Sequence, residues 1–437
     1  RDCTMRNSRK LFRILKELTP TDLDLLHHLY LYRCLTFQQA KDYIYNLKDE
    51  TLEKFYKNHV QRLLRLDVVI KVEYIPNDYV LFLTTNGVDS VRYTKEIPLE
   101  IFNPDTKIVK RGYYRAGELR LHPRLINHQV FLNQFMLEFQ EMAKERGIKW
   151  RYYDEKYVSQ YLTIRPDGLI RLFDTDFFLE MDMGTESQKQ LIQKWNHYRD
   201  FVRSDEFTNK ENKIVILFIT ENVRDVEKRK ELVRFTAINQ ILDLFQDSFD
   251  MVIGSKNELL ELLFNTLIPN ILQENNQKNE LVQILQDKHG FQVDFAYPLR
   301  SALNDSDYEF YIRKVNKDKR IVKEHGRLQE YILDDYTYQP LSVIQRILFH
   351  QRNSNVFQLK FKRNIPYIVV ANDVQTLFED LKMADALMVE QVYFTTPKRL
   401  KERPFHEALF QFGIQGDVYH FTDNGLQQRV YEKENRD

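Results

Sequence analysis

The residues of this chain best placed to do chemistry lie between positions 165 and 186. Arg165-Pro166-Asp167-Gly168 sets an acid at the mouth of a strand, and a short hairpin later comes Phe177-Phe178-Leu179-Glu180-Met181-Asp182-Met183-Gly184-Thr185-Glu186. Glu180 and Asp182 are two apart, so on a strand they share a face. Carboxylates gathered from adjacent strands are hard oxygen ligands for Mg²⁺ or Mn²⁺, with Asp167, Glu180 and Asp182 as the metal ligands of a phosphoryl-chemistry site or its relic. Plainer roles exist for the same residues. Asp167 can fix the Pro-Asp-Gly corner as an Asx turn, Glu180 and Asp182 can be surface acids of an edge strand, and His128 can be a packed or capping residue instead of a base. Asp174, Asp176, Glu180 and Asp182 crowd one side of the strand with no basic residue among them. Such repulsion is tolerated where a metal, or Lys/Arg from an adjacent helix, lies close.

These acids need elements to position them. The pattern predicts a helix over 125–146, with Val130, Phe131, Phe135, Met136 and Phe139 inward, then a first strand region over 150–162. A hairpin follows, 168–173 and 176–183, then a helix over 187–202 and the continuous apolar strand 214–220, of the type buried on both faces. A charged helix (223–235) and a short strand (250–254) complete the set. This order resembles the core of the PD-(D/E)XK nuclease-like superfamily. The resemblance implies that Asp167 and Glu180 bind metal and that a lysine stands two residues beyond the second acid. Asp182 occupies that place. An anion there cannot donate hydrogen bonds to a scissile phosphate. Lys189 or Lys194 on the next helix could replace the lysine, as could a second metal held through Asp182 and Glu186. The candidate catalytic set is therefore Asp167, Glu180, Asp182, Glu186 and Lys194.

The first ninety residues read as a winged helix-turn-helix. Thr19-Pro20 opens a helix through Leu23, Leu26, Leu29 and Tyr30. Thr36 caps a second, with Phe37, Ala40, Tyr43 and Ile44 inside. A third runs from about Thr51, with Leu52, Phe55, Val60, Leu63 and Leu64 at helical spacing. Two strands, 68–74 and 79–83, alternate around Pro76-Asn77-Asp78. Three helices and a two-stranded wing lay the third helix in a major groove. Its outer face carries Lys54, Lys57, Asn58, Gln61, Arg62 and Arg65, types that meet phosphates and base edges.

Residues 95–124 read as a linker, with the basic cluster Lys107, Lys110, Arg111, Arg115 and Arg120 beside Tyr113 and Tyr114. Such a cluster either tracks a DNA backbone or is simply solvated. The expected domains are 1–94 (winged helix), 95–124 (linker), 125–256 (nuclease-like α/β) and 257–437 (C-terminal α/β module). In the last, 257–285 reads as helical with a polar run at 273–279. Residues 307–313, 365–371 and 391–395 read as strands, and 341–350 and 374–382 as helices. The fold class is α/β: a winged helix-turn-helix, a mixed-sheet nuclease-like domain and a C-terminal α/β extension.

Composition narrows the function. The chain has 437 residues, zero formal charge and two cysteines, Cys3 and Cys34, which offer neither a disulfide framework nor a zinc site and suit a reducing cytoplasm. A mean hydropathy of −0.53 and no long apolar run argue against a membrane. Residues 1–130 hold 22 Lys/Arg against 16 Asp/Glu, a basic bias fitting a nucleic-acid-facing N-terminus.

A winged helix, Ile164-Arg165-Pro166-Asp167-Gly168, the motif Phe177 to Ser187 and a strand ending Phe218-Ile219-Thr220 together resemble the replication-relaxation family of plasmids and integrative elements, over about residues 15 to 255. That resemblance implies a DNA-binding accessory or initiator protein whose nuclease-like domain is a scaffold. The alternatives are a metal-dependent nuclease or nicking enzyme, and a dimeric transcriptional repressor. The expected partners are double-stranded DNA, a second copy of the chain, and replication or relaxosome proteins.

Overall fold

The computed structural model describes residues 2–98, 100–103, 108–272, 276–295, 308–352, 355–387, 389–422 and 425–432. Lys107, Gln273, Glu274, Asn275 and Asp307 lie outside them. The chain is a mixture of helices and mixed sheets in two compact units, Arg1–Met183 and Gly184–Asp437. No helix among the described residues is long and apolar enough to cross a membrane.

In the first unit, helix Asp2–Glu17 precedes Pro20–Tyr32, where Thr19 and Asp22 form a reciprocal capping box around Pro20. Thr36 and Gln39 repeat the device at the start of the helical run Phe37–Gln39 and Ala40–Ile44. Thr51 caps the next helix, assembled from Leu52–Phe55, the π-turn Tyr56–Val60 and Gln61–Arg65. Phe55, Val60 and Leu63 are fully buried, but Leu52, expected inside, is 42% exposed. Leu52 is the first residue of the helix, next to its Thr51 cap, and that end of the helix, residues 51–54, is exposed.

β1 (Leu35–Thr36), β2 (Val69–Ile75) and β3 (Asp78–Leu83) form an antiparallel sheet of order β1-β3-β2. Its hairpin turns through Asn77 at φ +63, a left-handed conformation that Asn tolerates. Helix Thr85–Thr94 then packs close to the strand entry. A Cβ on Gly87 would lie 2.1 Å from the Val68 carbonyl oxygen, so only glycine permits the approach. Residues 95–124 carry their own hairpin, β4 (Glu100–Asn103) and β5 (Ile108–Arg111), and the short helix Ala116–Leu119. Ile101, Phe102, Tyr114 and Leu119 are buried, and the Tyr114 amide donates to the Tyr30 hydroxyl at 2.9 Å. These four residues thus pack the described part of the stretch into the unit.

Helix Pro123–Glu145 is tied to the same head. Asn133, fully buried, donates to the carbonyls of Tyr32 (3.1 Å) and Cys34 (2.5 Å), and Gln39 donates to the Val130 carbonyl at 2.9 Å. An antiparallel meander follows: β6 (Arg151–Asp154), β7 (Gly168–Leu172) and β8 (Thr175–Asp182). All eight residues of β8 are buried, so Glu180 and Asp182 are not surface acids.

The second unit opens with helix Gln188–Val202, capped reciprocally by Ser187 and Gln190. β9 (Lys213–Thr220) and β10 (Phe249–Gly254) pair in parallel, joined through helix Val226–Ile241. A right-handed crossover through a helix is the standard route between parallel strands. Helical segments Lys256–Leu262, Leu263–Leu267 and Ile268–Ile271 lead on to Asn276–Gln283 and Ile284–Lys288. The remainder builds on a mixed eight-stranded sheet, in order β11 (Gln292–Phe295), β12 (Phe310–Arg313), β15 (Glu330–Asp335), β16 (Tyr367–Val370), β17 (Val392–Thr395), β18 (Phe410–Phe412), β19 (Val418–Thr422) and β20 (Gly425–Tyr431). A small hairpin, β13 (Lys323–Glu324) and β14 (Arg327–Leu328), interrupts the β12 to β15 connection. β15, β16 and β17 run parallel, with helices Leu341–Arg352 and Val374–Met383 between them.

Candidate functional site

Asp167 lies just before the first paired residue of β7, and its backbone explains its place. Its amide donates to the Leu179 carbonyl at 2.8 Å, and its Oδ2 accepts from the Met181 amide at 2.7 Å. The side chain thus continues the β7–β8 ladder by one rung, its carboxylate standing in for a main-chain acceptor. His128 Nε2 stands 3.0 Å from the Met181 carbonyl oxygen and 3.4 Å from Asp167 Oδ2, so helix Pro123–Glu145 pins the same corner. Gly168 completes it, since a Cβ there would press within 3.0–3.1 Å of the Tyr152 ring and hydroxyl.

The acids of β8 separate into different environments. Asp174 is exposed at the turn beside Phe173 (φ +53). Asp176 is fully buried and clasped by Arg171 of β7 in a bidentate pair, 2.7 and 2.9 Å, its direct cross-strand neighbour. The hydrogen bond to Asp176 holds the Arg171 guanidinium charged well above its usual range. For Asp176, the balancing cation therefore comes from the neighbouring strand. Glu180 and Asp182 are 3% and 2% exposed.

In the second unit, Glu186 Oε1 and Lys194 Nζ form an ion pair at 3.1 Å, and Arg229 donates to the Glu186 carbonyl at 2.8 Å. Lys194 also sits 5.5 Å above the Phe218 ring. Lys189 is exposed. Gly184 takes φ +71 with Val223 packed against it, so the strand-to-helix passage needs glycine there.

Carboxylate oxygens are the right donors for Mg²⁺ or Mn²⁺. Among the described residues, however, no group of three or more His, Cys, Asp or Glu side chains is arranged to hold a metal ion. Asp167 Oδ2 is already engaged by a backbone amide and a histidine. The described residues as placed do not fit a metal.

A second candidate surface lies on the helix after Thr51. Lys54, Lys57, Asn58, Gln61 and Arg65 are exposed on it. Lys54 and Lys57 make i,i+4 pairs with the largely buried Glu50 (3.3 Å) and the exposed Glu53 (2.6 Å); the second is a solvent-exposed contact of little strength that a phosphate can displace. Arg62 differs from its neighbours. It pairs with Asp22, which is fully buried and also accepts from the Tyr45 hydroxyl at 2.5 Å and the Thr19 amide at 2.8 Å. Burial alone would raise the Asp22 carboxyl. Bonds from Tyr45, Thr19 and Arg62 outweigh it and hold the group below its ordinary value of 3.8. Arg62 is a structural residue that the sequence groups with the surface cations. Lys71 was missed: exposed on β2, it is held over the rings of Tyr56 (5.0 Å) and Tyr79 (4.9 Å). Strand alternation places it outward, but only the fold sets it beside the helix.

A family model described as replication-relaxation matches residues 26–217, within the span that the sequence motifs outline. No curated protein and no solved structure matches the chain.

Proposed function

We propose, from the match of residues 26–217 to the replication-relaxation family model, that the chain binds duplex DNA as an accessory or initiator protein in the replication or relaxation of a plasmid or other mobile element. The observation that carries this reading is the outward polar face Lys54, Lys57, Asn58, Gln61 and Arg65 on one uninterrupted helical run, followed by the β2–β3 hairpin. As a winged helix, the run enters the major groove and the hairpin lies along the backbone, where Lys71 meets a phosphate. The lysines and Arg65 neutralise phosphates, while Asn58 and Gln61 present amides to base edges. The carboxylate strands, nuclease-like in order, serve as a scaffold without catalysis. Asp167 as a backbone cap and Asp176 as half of an ion pair support that role. The partners are double-stranded DNA, replication or relaxosome proteins, and a second copy of the chain.

Mobility shifts across a salt titration test the DNA face. Lys57→Ala combined with Arg65→Ala should weaken binding and flatten the log–log salt slope by about one per lost phosphate contact. An unaltered slope and affinity in that double variant reject the helix as the reader. Supercoiled plasmid with Mg²⁺ or Mn²⁺ tests the scaffold. Binding without nicking supports it, whereas nicking abolished by Asp167→Ala or Glu180→Ala moves the assignment to a metal-dependent nuclease. A footprint over a promoter palindrome, not a replication or transfer origin, moves it to a dimeric repressor.

A further inference from the structure

The first unit contains a cleft of about 600 Å³. Voids left by packing seldom exceed a water molecule, whereas sites for small ligands run from roughly 300 to 1,000 Å³. Helix Pro20–Tyr32 lines it with His27, and helix Pro123–Glu145 with Gln140. The chain entering β6 adds Trp150, Arg151 and Tyr153, and the segment after helix Thr85–Thr94 adds Glu96.

The walls are set without a ligand. Lys95 pairs with Asp24, which ties the segment carrying Glu96 to helix Pro20–Tyr32. A hydrogen-bonded chain fixes Gln140. The Tyr32 hydroxyl donates to Gln140 Oε1 at 2.9 Å, Gln140 Nε2 donates to His28 Nε2 at 2.7 Å, and His28 Nδ1 donates to the Asp24 carbonyl at 2.7 Å. A carbonyl only accepts, so Nδ1 carries the proton and Nε2 is the acceptor. Gln140 uses one lone pair and one N–H in this chain and keeps one of each for a further partner. His27, lowered by burial to about 4, offers hydrogen bonds without charge at neutral pH. The Trp150 ring meets buried Phe139 edge-on at 5.0 Å, and the Tyr153 ring stacks on Tyr157 at 4.3 Å, so both aromatic groups are braced.

These groups define the ligand. Aromatic rings favour a flat partner, and Gln140 with His27 favours one that carries both donors and acceptors. Lys149 and Arg151, exposed on either side of Trp150 in the chain, outnumber the exposed acid Glu96 and favour an anion. Arg151 makes no ion pair among the described residues. A nucleobase with its phosphate has all three properties. Inside a duplex its faces are stacked and its pairing edge is occupied, so the cleft suits a nucleotide outside the double helix. We propose that the cleft binds an unpaired nucleotide of single-stranded DNA, with the base on Trp150 and a phosphate at Arg151. This goes beyond the duplex reading by adding opened strand as a second DNA partner, and either reading can fail alone.

The chain has two tryptophans, and Trp195 is fully buried, so Trp150 is the one placed to report on the cleft. A single-stranded oligodeoxythymidylate added to the full chain should quench tryptophan emission. Trp150→Phe should remove the quench while a labelled strand still binds by fluorescence anisotropy. Trp150→Ala should weaken strand binding by on the order of tenfold. Arg151→Ala, at an exposed position where folding is spared, should flatten the log–log salt slope by about 0.7, the value of one phosphate on a single strand. All three variants should keep the parent's duplex affinity in mobility shifts. Thymidine monophosphate, with no neighbouring phosphates, should bind far more weakly than the strand. The proposal is overturned if the strand causes no quench, if Arg151→Ala binds it with the parent's affinity and slope, or if the mononucleotide binds as tightly as the strand. Quenching by the strand in a parent that fails to shift duplex overturns the duplex reading and supports the cleft.

Discussion

Asp22 and Arg62 show how a single buried charge changes the meaning of a surface residue. Arg62 shares a helix with five exposed polar side chains, and nothing in its spacing sets it apart. Its partner lies forty positions earlier, in the capping box of another helix. Arg62→Met strands a carboxylate with no exposed surface and should cost about 2 kcal/mol in urea unfolding at pH 7, a discounted figure because Arg62 itself keeps 29% exposure. The pH dependence follows from the lowered Asp22. A depressed carboxyl contributes stability that is complete above its unfolded value of 3.8 and drains away as the pH falls through the folded value. The gap between parent and variant should thus be widest near neutrality and narrow below pH 3.8. A gap that stays constant down to acid pH would dissociate Arg62 from Asp22. Asp167 teaches the same lesson: its type and place were legible, but its engagement by the Met181 amide was not, because that bond depends on register.

At the level of elements, caps and periods were readable where the information is local. Thr19, Thr36, Thr51 and Thr84 all cap the helices they precede, whereas the helix after β8 is capped by Ser187 and not by Thr185, the cap its sequence suggests. The strands expected at 214–220, 365–371 and 391–395 fall within a few residues of β9, β16 and β17, because continuous apolar runs have few other solutions. β15 went unread: Glu330, Asp334 and Asp335 make its sequence look like surface, although its first five residues are buried. Those acids are held by distant partners, Arg363 and Tyr311 on Glu330 and Arg346 on Asp334. Helix Thr85–Thr94 offers a test at this scale. Gly87→Ala pushes a methyl into the Val68 carbonyl and should cost about 1–3 kcal/mol, measured by chemical denaturation. A neutral or stabilising result, which helix propensity alone would favour, would show that the helix can shift away from that strand.

Across the whole chain, each unit contains a histidine kept neutral by burial. Burial lowers His27 of the first unit to about 4, with His28 and Lys95 adding repulsion, and lowers His350 of the second to about 3. The His350 Nε2 has no hydrogen-bond partner among the described residues. A depressed histidine binds fewer protons folded than unfolded, so its stabilisation is complete above 6.5 and is lost as the pH falls from there toward the folded value. Each group adds a slope of about 1.4 kcal/mol per pH unit in that window. His350→Phe should therefore flatten the fall in stability between pH 6 and 4 (about one proton's worth). A parent and variant that lose stability in parallel over that range would place His350 in water.

The residues alone determined what is local or compositional: α/β class, capped helices, the apolar strands, the Pro-Asp-Gly corner, the acids of β8, and the resemblance to the replication-relaxation family, whose model matches residues 26–217. Short-range backbone chemistry and hydrophobic period are written in neighbouring positions, so they survive without coordinates. Tertiary structure alone decided which charges are surface and which are structural, and that the described residues of 95–124 pack against the rest of their unit. Ion pairs and strand registers join positions tens to a hundred residues apart, and a carboxylate's character depends on what folding brings beside it.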